Sequence, residues 1–324
     1  MEEVNRTSPA KFILLGLSNV PYLQAIFFLL FLLMYIITLS GNLLLIVVVR
    51  INPKLQTPMY FFLSNLAFND INYSSTIVPK ILINTLSQDR SISLTGCAVQ
   101  IFCLLILGVM ECCLLAVMAY DRFVAICRPL HYNTIMNMKL CASLVAGSWS
   151  MSILNSTLHV ALTFQLPYCK SHYIDHFFCE MPPLFRLSCQ DTLYNEIIMY
   201  ISGAILGSCA LCLTLTSYVH IISTVLKIRS SEGRHKAFST CASHLTVLAL
   251  YYGTVICIYL KPRSTNSANV DKSASILYTV VTPMLNPIIY SIRNKDVKNT
   301  VKNNSNKKQS SLKCNKQVQV KTVH

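Results

Sequence analysis

Residues 97–127 read CAVQIFCLLILGVMECCLLAVMAYDRFVAIC: twenty-four residues broken by a single acid, Glu111, and then the adjacent pair Asp121-Arg122. A run of that length and dryness matches what a bilayer asks of one helix, roughly 20 apolar residues. Similar runs lie at about 24–49, 58–84, 140–163, 197–226, 237–260 and 273–292, which predicts seven membrane-spanning helices. The first is the driest, with no charge between Lys11 and Arg50. Composition agrees. Apolar residues make up 53% of the 324 and charged residues only 12%, about half the share of an ordinary soluble domain.

Orientation follows from the bases. With the N-terminus outside, eighteen of the 27 Lys and Arg residues fall on the inner side and eight on the outer, while Lys80 lies within a span. The bias obeys the positive-inside rule. The net charge of +14 is thus a signature of topology and not of nucleic-acid binding, because the bases do not gather in one basic soluble domain. Residues 1–23 are expected outside, 24–292 in the seven-helix domain, and 293–324 as an inner tail that opens with a short amphipathic helix and continues disordered. No cleavable leader is expected from the acidic start MEEVNRTSPAK. Asn5, in Asn5-Arg6-Thr7, is the outward-facing glycosylation sequon. The tail bases either meet anionic inner-leaflet lipid or stay solvated with no partner.

Of the fourteen cysteines, Cys97, Cys169, Cys179 and Cys189 lie at or beyond the outer face, where disulfides persist. Four cysteines allow three pairings, and spacing does not choose among them. Three of the four sit in the one long loop, about 164–192.

Charges at membrane depth mark function, since each costs at least about 2.5 kcal/mol to insert. Asp70 falls near the middle of span two and Glu111 near the middle of span three. Facing each other, they require either a hard cation such as sodium or a shared proton. Asp121-Arg122 sits at the inner mouth instead. There it reads either as a latch that opens in a second state or as an ordinary interfacial pair.

MAYDRFVAICRPLHY (118–132) resembles the inner end of helix three in olfactory receptors, a branch of the rhodopsin-like G-protein-coupled receptors. The likeness runs along the chain: GN (41–42), PMYFFLSNLAFND (58–70), LPYCKSHYIDHFFCEMPPLFRLSC (166–189), SY (217–218), KAFSTCASHL (236–245) and PMLNPIIYSIRNKDV (283–297). The extra loop cysteines and short N-terminus resemble the tetrapod-type subgroup. Phe123, Gln56 and the longer tail depart from the usual pattern without touching the switch residues.

The resemblance implies Cys97–Cys179 and Cys169–Cys189 bridges. It also implies a coupling switch at Asp121, Arg122, Tyr218, Asn286, Pro287 and Tyr290, with Pro287 as a hinge in helix seven. Asp70 and Glu111 match the family's sodium-linked acidic pair. His176-Phe177-Phe178-Cys179-Glu180 matches a suggested metal motif, one that an oxidised Cys179 would disable. The implied partners are a small odorant and a heterotrimeric G protein of the stimulatory or olfactory class, acting at the plasma membrane through cyclic AMP.

Helical phase supplies a pocket. If Glu111 faces inward, Gly108 and Leu104 share its face, flanked by Leu105 and Val109. Span five offers Met199, Ser202 and Leu206; span six offers Tyr252, Val255, Ile256 and Tyr259; span seven offers Ile276 and Thr279. A mostly apolar wall with a few hydroxyls suits a small neutral ligand. Amine-binding receptors carry an Asp about where Leu104 stands, so an ammonium ligand is not expected.

Other classes fit less well. A transporter would show inverted repeats or helices broken at mid-membrane, and neither is present. An enzyme would need a nucleophile–base set, a zinc signature or a phosphate-cradling loop in its aqueous segments, and the sequence offers none.

Overall fold

The computed structural model describes residues 11–18, 20–87, 89–259 and 267–293, with backbone only at 236–237, 239–240, 255–259, 267–271 and 291–293. Asn5, the tail from residue 294 and the side chains of Val255, Ile256 and Tyr259 therefore lie outside the described residues. The helices are α1 (Pro21–Ile51), α2 (Pro58–Leu86), α3 (Leu94–Cys127), the short α4 (Tyr132–Ile135), α5 (Met138–Phe164), the short α6 (Met181–Phe185), α7 (Leu193–Leu226), α8 (Ser231–Tyr259), α9 (Ser267–Ile276) and α10 (Thr282–Arg293). A π-helical segment, Leu277–Val281, joins α9 to α10 into one seventh span. Each of the seven predicted apolar runs thus sits on one long helical unit.

The helices are long because lipid offers the backbone no partner, so every N–H and C=O must be satisfied inside its own segment. Their starts are written locally. Pro21 and Pro58 occupy first-turn positions, where the missing N–H costs nothing. Ser93 Oγ accepts from Gly96 N at 3.0 Å, and Asn137 Oδ1 accepts from Leu140 N at 2.9 Å.

α3 is the central helix, since it contributes side chains to every apolar cluster of the molecule. Of its most apolar stretch 67% is buried, against 17% for α7. α5 is arranged the other way round from a helix in water. Ser148, Ser152, Ser156, His159 and Thr163 are buried, while Leu154 is 72% exposed and Met151, Ile153 and Leu158 also face outward. Two of these buried serines bond back to their own helix, Ser148 Oγ to Leu144 O at 2.8 Å and Ser152 Oγ to Ser148 O at 2.7 Å. Apolar outside and polar inside is the pattern of a helix solvated by lipid.

α1 and α10 approach closely at Gly41. A Cβ there would lie 3.1 Å from Pro287 Cγ, tighter than ordinary contact, so a larger residue would push the two helices apart by a few tenths of an ångström.

The outer end holds a feature that the helical periodicity did not announce. Strands β1 (Lys11–Leu14), β2 (Ser91–Ser93) and β3 (Tyr173–Ile174) form one small sheet in the order β2-β1-β3, antiparallel on one side and parallel on the other. Phe12 pairs with Ile92, and Ile13 pairs with Tyr173. Alternate residues of β1 point inward: Phe12 and Leu14 are fully buried, Phe12 edge-on to Tyr168 at 5.4 Å. The N-terminal segment is thereby a strap across the loop between α5 and α7.

Candidate functional site

At mid-membrane Asp70 on α2, Glu111 on α3 and Asn286 on α10 are all buried. Asn286 Nδ2 donates to both carboxylate oxygens of Asp70, at 3.2 and 3.0 Å. Glu111 stands within electrostatic reach of Asp70 across α2 and α3. Neighbouring amides tie the surrounding helices together. Asn42 Nδ2 donates to Pro283 O at 3.1 Å, and Asn69 Nδ2 donates to Leu107 O at 3.1 Å. Among the described residues, five buried oxygens in this region have no hydrogen-bond partner: Glu111 Oε1, Asn286 Oδ1, Asn42 Oδ1, Asn69 Oδ1 and Ser74 Oγ. Hard oxygen donors of this kind fit a small cation such as sodium.

At the cytosolic mouth Arg122 Nη2 lies 3.2 Å from Asp121 Oδ2, with Asp121 fully buried and Arg122 14% exposed. Tyr132 in α4 donates its hydroxyl to Asp121 Oδ1 at 2.8 Å. Burial and then the Asp121 charge push the Tyr132 phenol up, so it remains a donor at any physiological pH. Asp121 therefore holds two partners at once, one on its own helix and one on the inner loop. Tyr218 is hydrogen-bonded to His244 Nδ1 at 2.7 Å, which joins α7 to α8. Tyr290 is buried in the same apolar cluster as Tyr218, but its hydroxyl has no partner.

The pocket residues divide between two clusters. Leu104 and Ile276 pack with Tyr73, Ile77, Phe177 and Phe178 beneath the loop. Leu105 and Met199 pack on the other side, with Cys97, Ile101 and Ile174. Ser202 Oγ donates to Met199 O at 3.1 Å and so accepts from His159 Nε2 at 2.7 Å. Thr279 is fully buried, with its hydroxyl turned back onto Ser275 O. Val109 and Leu206 are half-buried. Tyr252 flanks the inner core with an unpartnered hydroxyl. Beside Gly108 there is room: a Cβ built there meets nothing within 4 Å, while Tyr251 donates to the Gly108 carbonyl at 3.2 Å.

The roof is tied down covalently. Cys97 is joined to Cys179 and Cys169 to Cys189, with Cα separations of 5.5 and 5.7 Å. Gln100 adds a second tie, accepting from Cys179 N at 2.9 Å and donating to Thr76 O at 3.0 Å. With Cys179 oxidised, the His176–Glu180 stretch has no thiolate for a metal. Among the described residues no three His, Cys, Asp or Glu side chains converge as a ligand set. His176 is instead stacked on Phe177 at 4.5 Å and edge-on to Phe178 at 4.6 Å. Burial, and then the nearby Lys272 ammonium, bring its pKa down to about 4. Two further bonds fasten the loop to the seventh span: Lys272 Nζ to Asp175 at 2.7 Å, and Tyr278 to Glu180 at 3.0 Å.

Tyr132, His159, His244 and Gln100 were missed by the sequence reading. His159 and His244 are polar residues on otherwise dry helices, the one signal that could have flagged them. Tyr132 closes the stretch MAYDRFVAICRPLHY but was given no role there, and nothing local marks Gln100.

A family model described as "Olfactory receptor" matches residues 31–308. The rat protein "Olfactory receptor 1f45" is 49% identical over 298 residues, 92% of this chain and 95% of its own. The mouse "Olfactory receptor 8U3" is 48% identical over 313 residues, 97% and 98% of the two chains. The human "Olfactory receptor 1F1" is 50% identical over 302 residues, 93% and 97%. Likeness of that depth and reach, on a bundle with a charged inner mouth and a disulfide-braced roof, leaves one conclusion: the chain belongs to the olfactory receptor family, as a multi-pass membrane receptor and not an enzyme.

Proposed function

We propose that this receptor takes a small, mostly neutral volatile molecule between α3, α7, α8 and the seventh span, and passes the event to a G protein of the stimulatory or olfactory class, raising cyclic AMP. The observation that carries the proposal is the state of Arg122. Its guanidinium is held by a buried carboxylate at 3.2 Å, and that carboxylate is in turn held by Tyr132. Such a pair is stable while the inner helix ends stay together. Separating them releases a permanent cation towards the cytosol. Tyr218 and Tyr290 line the same inner core, and Pro287 removes one backbone donor from α10, where a bend needs the least energy.

On the ligand side, the space beside Gly108 lies one turn from Glu111. Apolar walls come from Leu104, Leu105 and Met199. An odorant shifts the balance of states only by its difference in affinity for them. A sodium ion would be held by Asp70, Glu111 and Asn286 Oδ1, where its charge offsets the two carboxylates and favours the closed arrangement.

The test is a cyclic-AMP reporter screen against volatile alcohols, ketones and esters, run beside Arg122→Ala. A cognate volatile should raise cyclic AMP in the unaltered chain and not in the variant, at equal surface expression. A signal that survives Arg122→Ala undiminished refutes the coupling scheme. Gly108→Phe should abolish the response without loss of surface protein, and an unchanged response would move the pocket elsewhere.

A further inference from the structure

The outer rim carries a cleft outside the proposed bundle pocket. Past β1 the chain turns at Gly16, whose φ of 75° is open to glycine, and runs over the tops of α1 and α2. The strap is pinned on both sides: Gly16 N donates to His176 O at 3.1 Å, and Arg90 Nη1 donates to Leu15 O at 3.1 Å. Beneath it lies a cleft half open to solvent, whose volume with its mouth included is about 390 Å3. Leu17, Phe27, Ile81 and Phe177 form its apolar walls, and Asn84 and Arg90 are its chief polar groups.

Asn84 is the informative residue. It is only 8% exposed, and its Oδ1 is buried without a hydrogen-bond partner. A buried amide oxygen left so is costly, and a ligand that supplies a donor recovers the loss. The Arg90 guanidinium borders the same cleft as a set of N–H donors, which an oxygen lone pair can meet. A hydroxyl satisfies both demands, because it donates a proton and presents lone pairs. The remaining walls ask for hydrocarbon. Phe177 belongs at once to this cleft and to the cluster holding Leu104 and Ile276, so one ring borders both spaces.

We infer that the cleft between the N-terminal strap, α1 and α2 is an accessory binding site for a small molecule bearing one hydroxyl on an apolar body, with Asn84 accepting the hydroxyl proton. The same chemistry could arrive from the aqueous side as a volatile alcohol or from the membrane as a sterol. The size of the cleft and its position under the strap favour the volatile.

The experiment uses the full chain in sterol-free lipid nanodiscs and a benzyl alcohol carrying a trifluoromethyl-diazirine. Adducts are mapped by mass spectrometry. Labelling should appear in residues 16–27 and 81–90, be competed by plain benzyl alcohol, and be weak for the toluene analogue that lacks the hydroxyl. Asn84→Val should reduce it about fivefold, the effect of one lost hydrogen bond. Adducts in α3 and α7 at the unaltered level then serve as the sign of intact folding. Should Asn84→Val fail to reach the nanodisc, Phe27→Trp fills the cleft from α1 and should remove the same adducts. Labelling that is absent from both segments, or indifferent to the hydroxyl or to these substitutions, overturns the inference. So does competition by cholesterol but not by benzyl alcohol. The readout needs no signalling, so failure of the coupling scheme and failure of this site are separable.

Discussion

α3 spans 34 residues, about 50 Å at helical rise, and reaches both ends of the bundle. At its outer end the first turn is joined covalently to the loop through Cys97–Cys179, under a three-stranded sheet and a second disulfide. At its inner end the last turns are held by Asp121, Arg122 and Tyr132, and the facing helices by Tyr218 and His244. The outer closure consists of bonds that do not exchange on the time scale of signalling. The inner closure consists of hydrogen bonds and one ion pair, each of which can be traded for another partner. On the proposed reading, a receptor that takes its ligand from outside and acts inside uses that asymmetry, with a fixed frame at one end and a separable contact at the other.

The largest expected effect is at the fixed end. Cys97→Ser opens a loop closed over 82 residues and should cost roughly 2–5 kcal/mol. Surface labelling should show little mature receptor, and normal export would mean that Gln100 and the sheet suffice. At the separable end the loss is smaller and of opposite consequence. Tyr132→Phe deletes one hydrogen bond to a buried carboxylate and loosens the Asp121–Arg122 pair. Basal cyclic AMP should rise up to about tenfold at equal surface expression. A fall in basal signal would show Tyr132 serving the active state instead.

Glu111→Gln tests the middle. In the unaltered receptor, replacing sodium by choline in the medium should shift the odorant dose–response about fivefold. The substitution should flatten that dependence, and an unchanged shift would count against a cation between Asp70 and Glu111.

The smallest effect is on pH, again at the roof. The pKa of His176 is about 4 in the folded loop, below the ordinary histidine value. The unfolded loop therefore binds the proton more readily. The loop keeps its full stability above about pH 6.5 and loses it progressively as pH falls towards 4. Amide protection over residues 172–180, taken relative to the intrinsic exchange rate at each pH, should be lower at pH 5 than at pH 7.4, and His176→Gln should remove the difference. Lower protection at the cytosolic mouth instead would reverse the contrast drawn between the two ends.

Much of this was legible before any coordinates. The seven apolar runs, the inner excess of bases and the isolated acids Asp70 and Glu111 follow from the cost of charge in hydrocarbon, which acts on each residue wherever its neighbours are. The resemblance of MAYDRFVAICRPLHY and its companion motifs supplied the family and the residues proposed as the switch. The cap was not legible in the same way. KFIL at 11–14 is too short to signal a strand, and it becomes one only because β2 and β3 offer it partners from distant parts of the chain. Of the residues proposed for the pocket, helical phase placed Leu104 and Leu105 side by side, whereas the fold sends them into different clusters. It also shows Ser202 already bonded to His159.

The sequence alone determined how many times the chain crosses the membrane, which way it faces and where its buried charges lie, because these depend on the transfer of single residues between water and lipid. Tertiary structure alone decided which groups meet: Tyr132 with Asp121, Tyr218 with His244, Cys97 with Cys179 and the N-terminal strap with the loop. Those partnerships join residues far apart in the chain or on separate elements, and no local preference encodes a distance across a bundle.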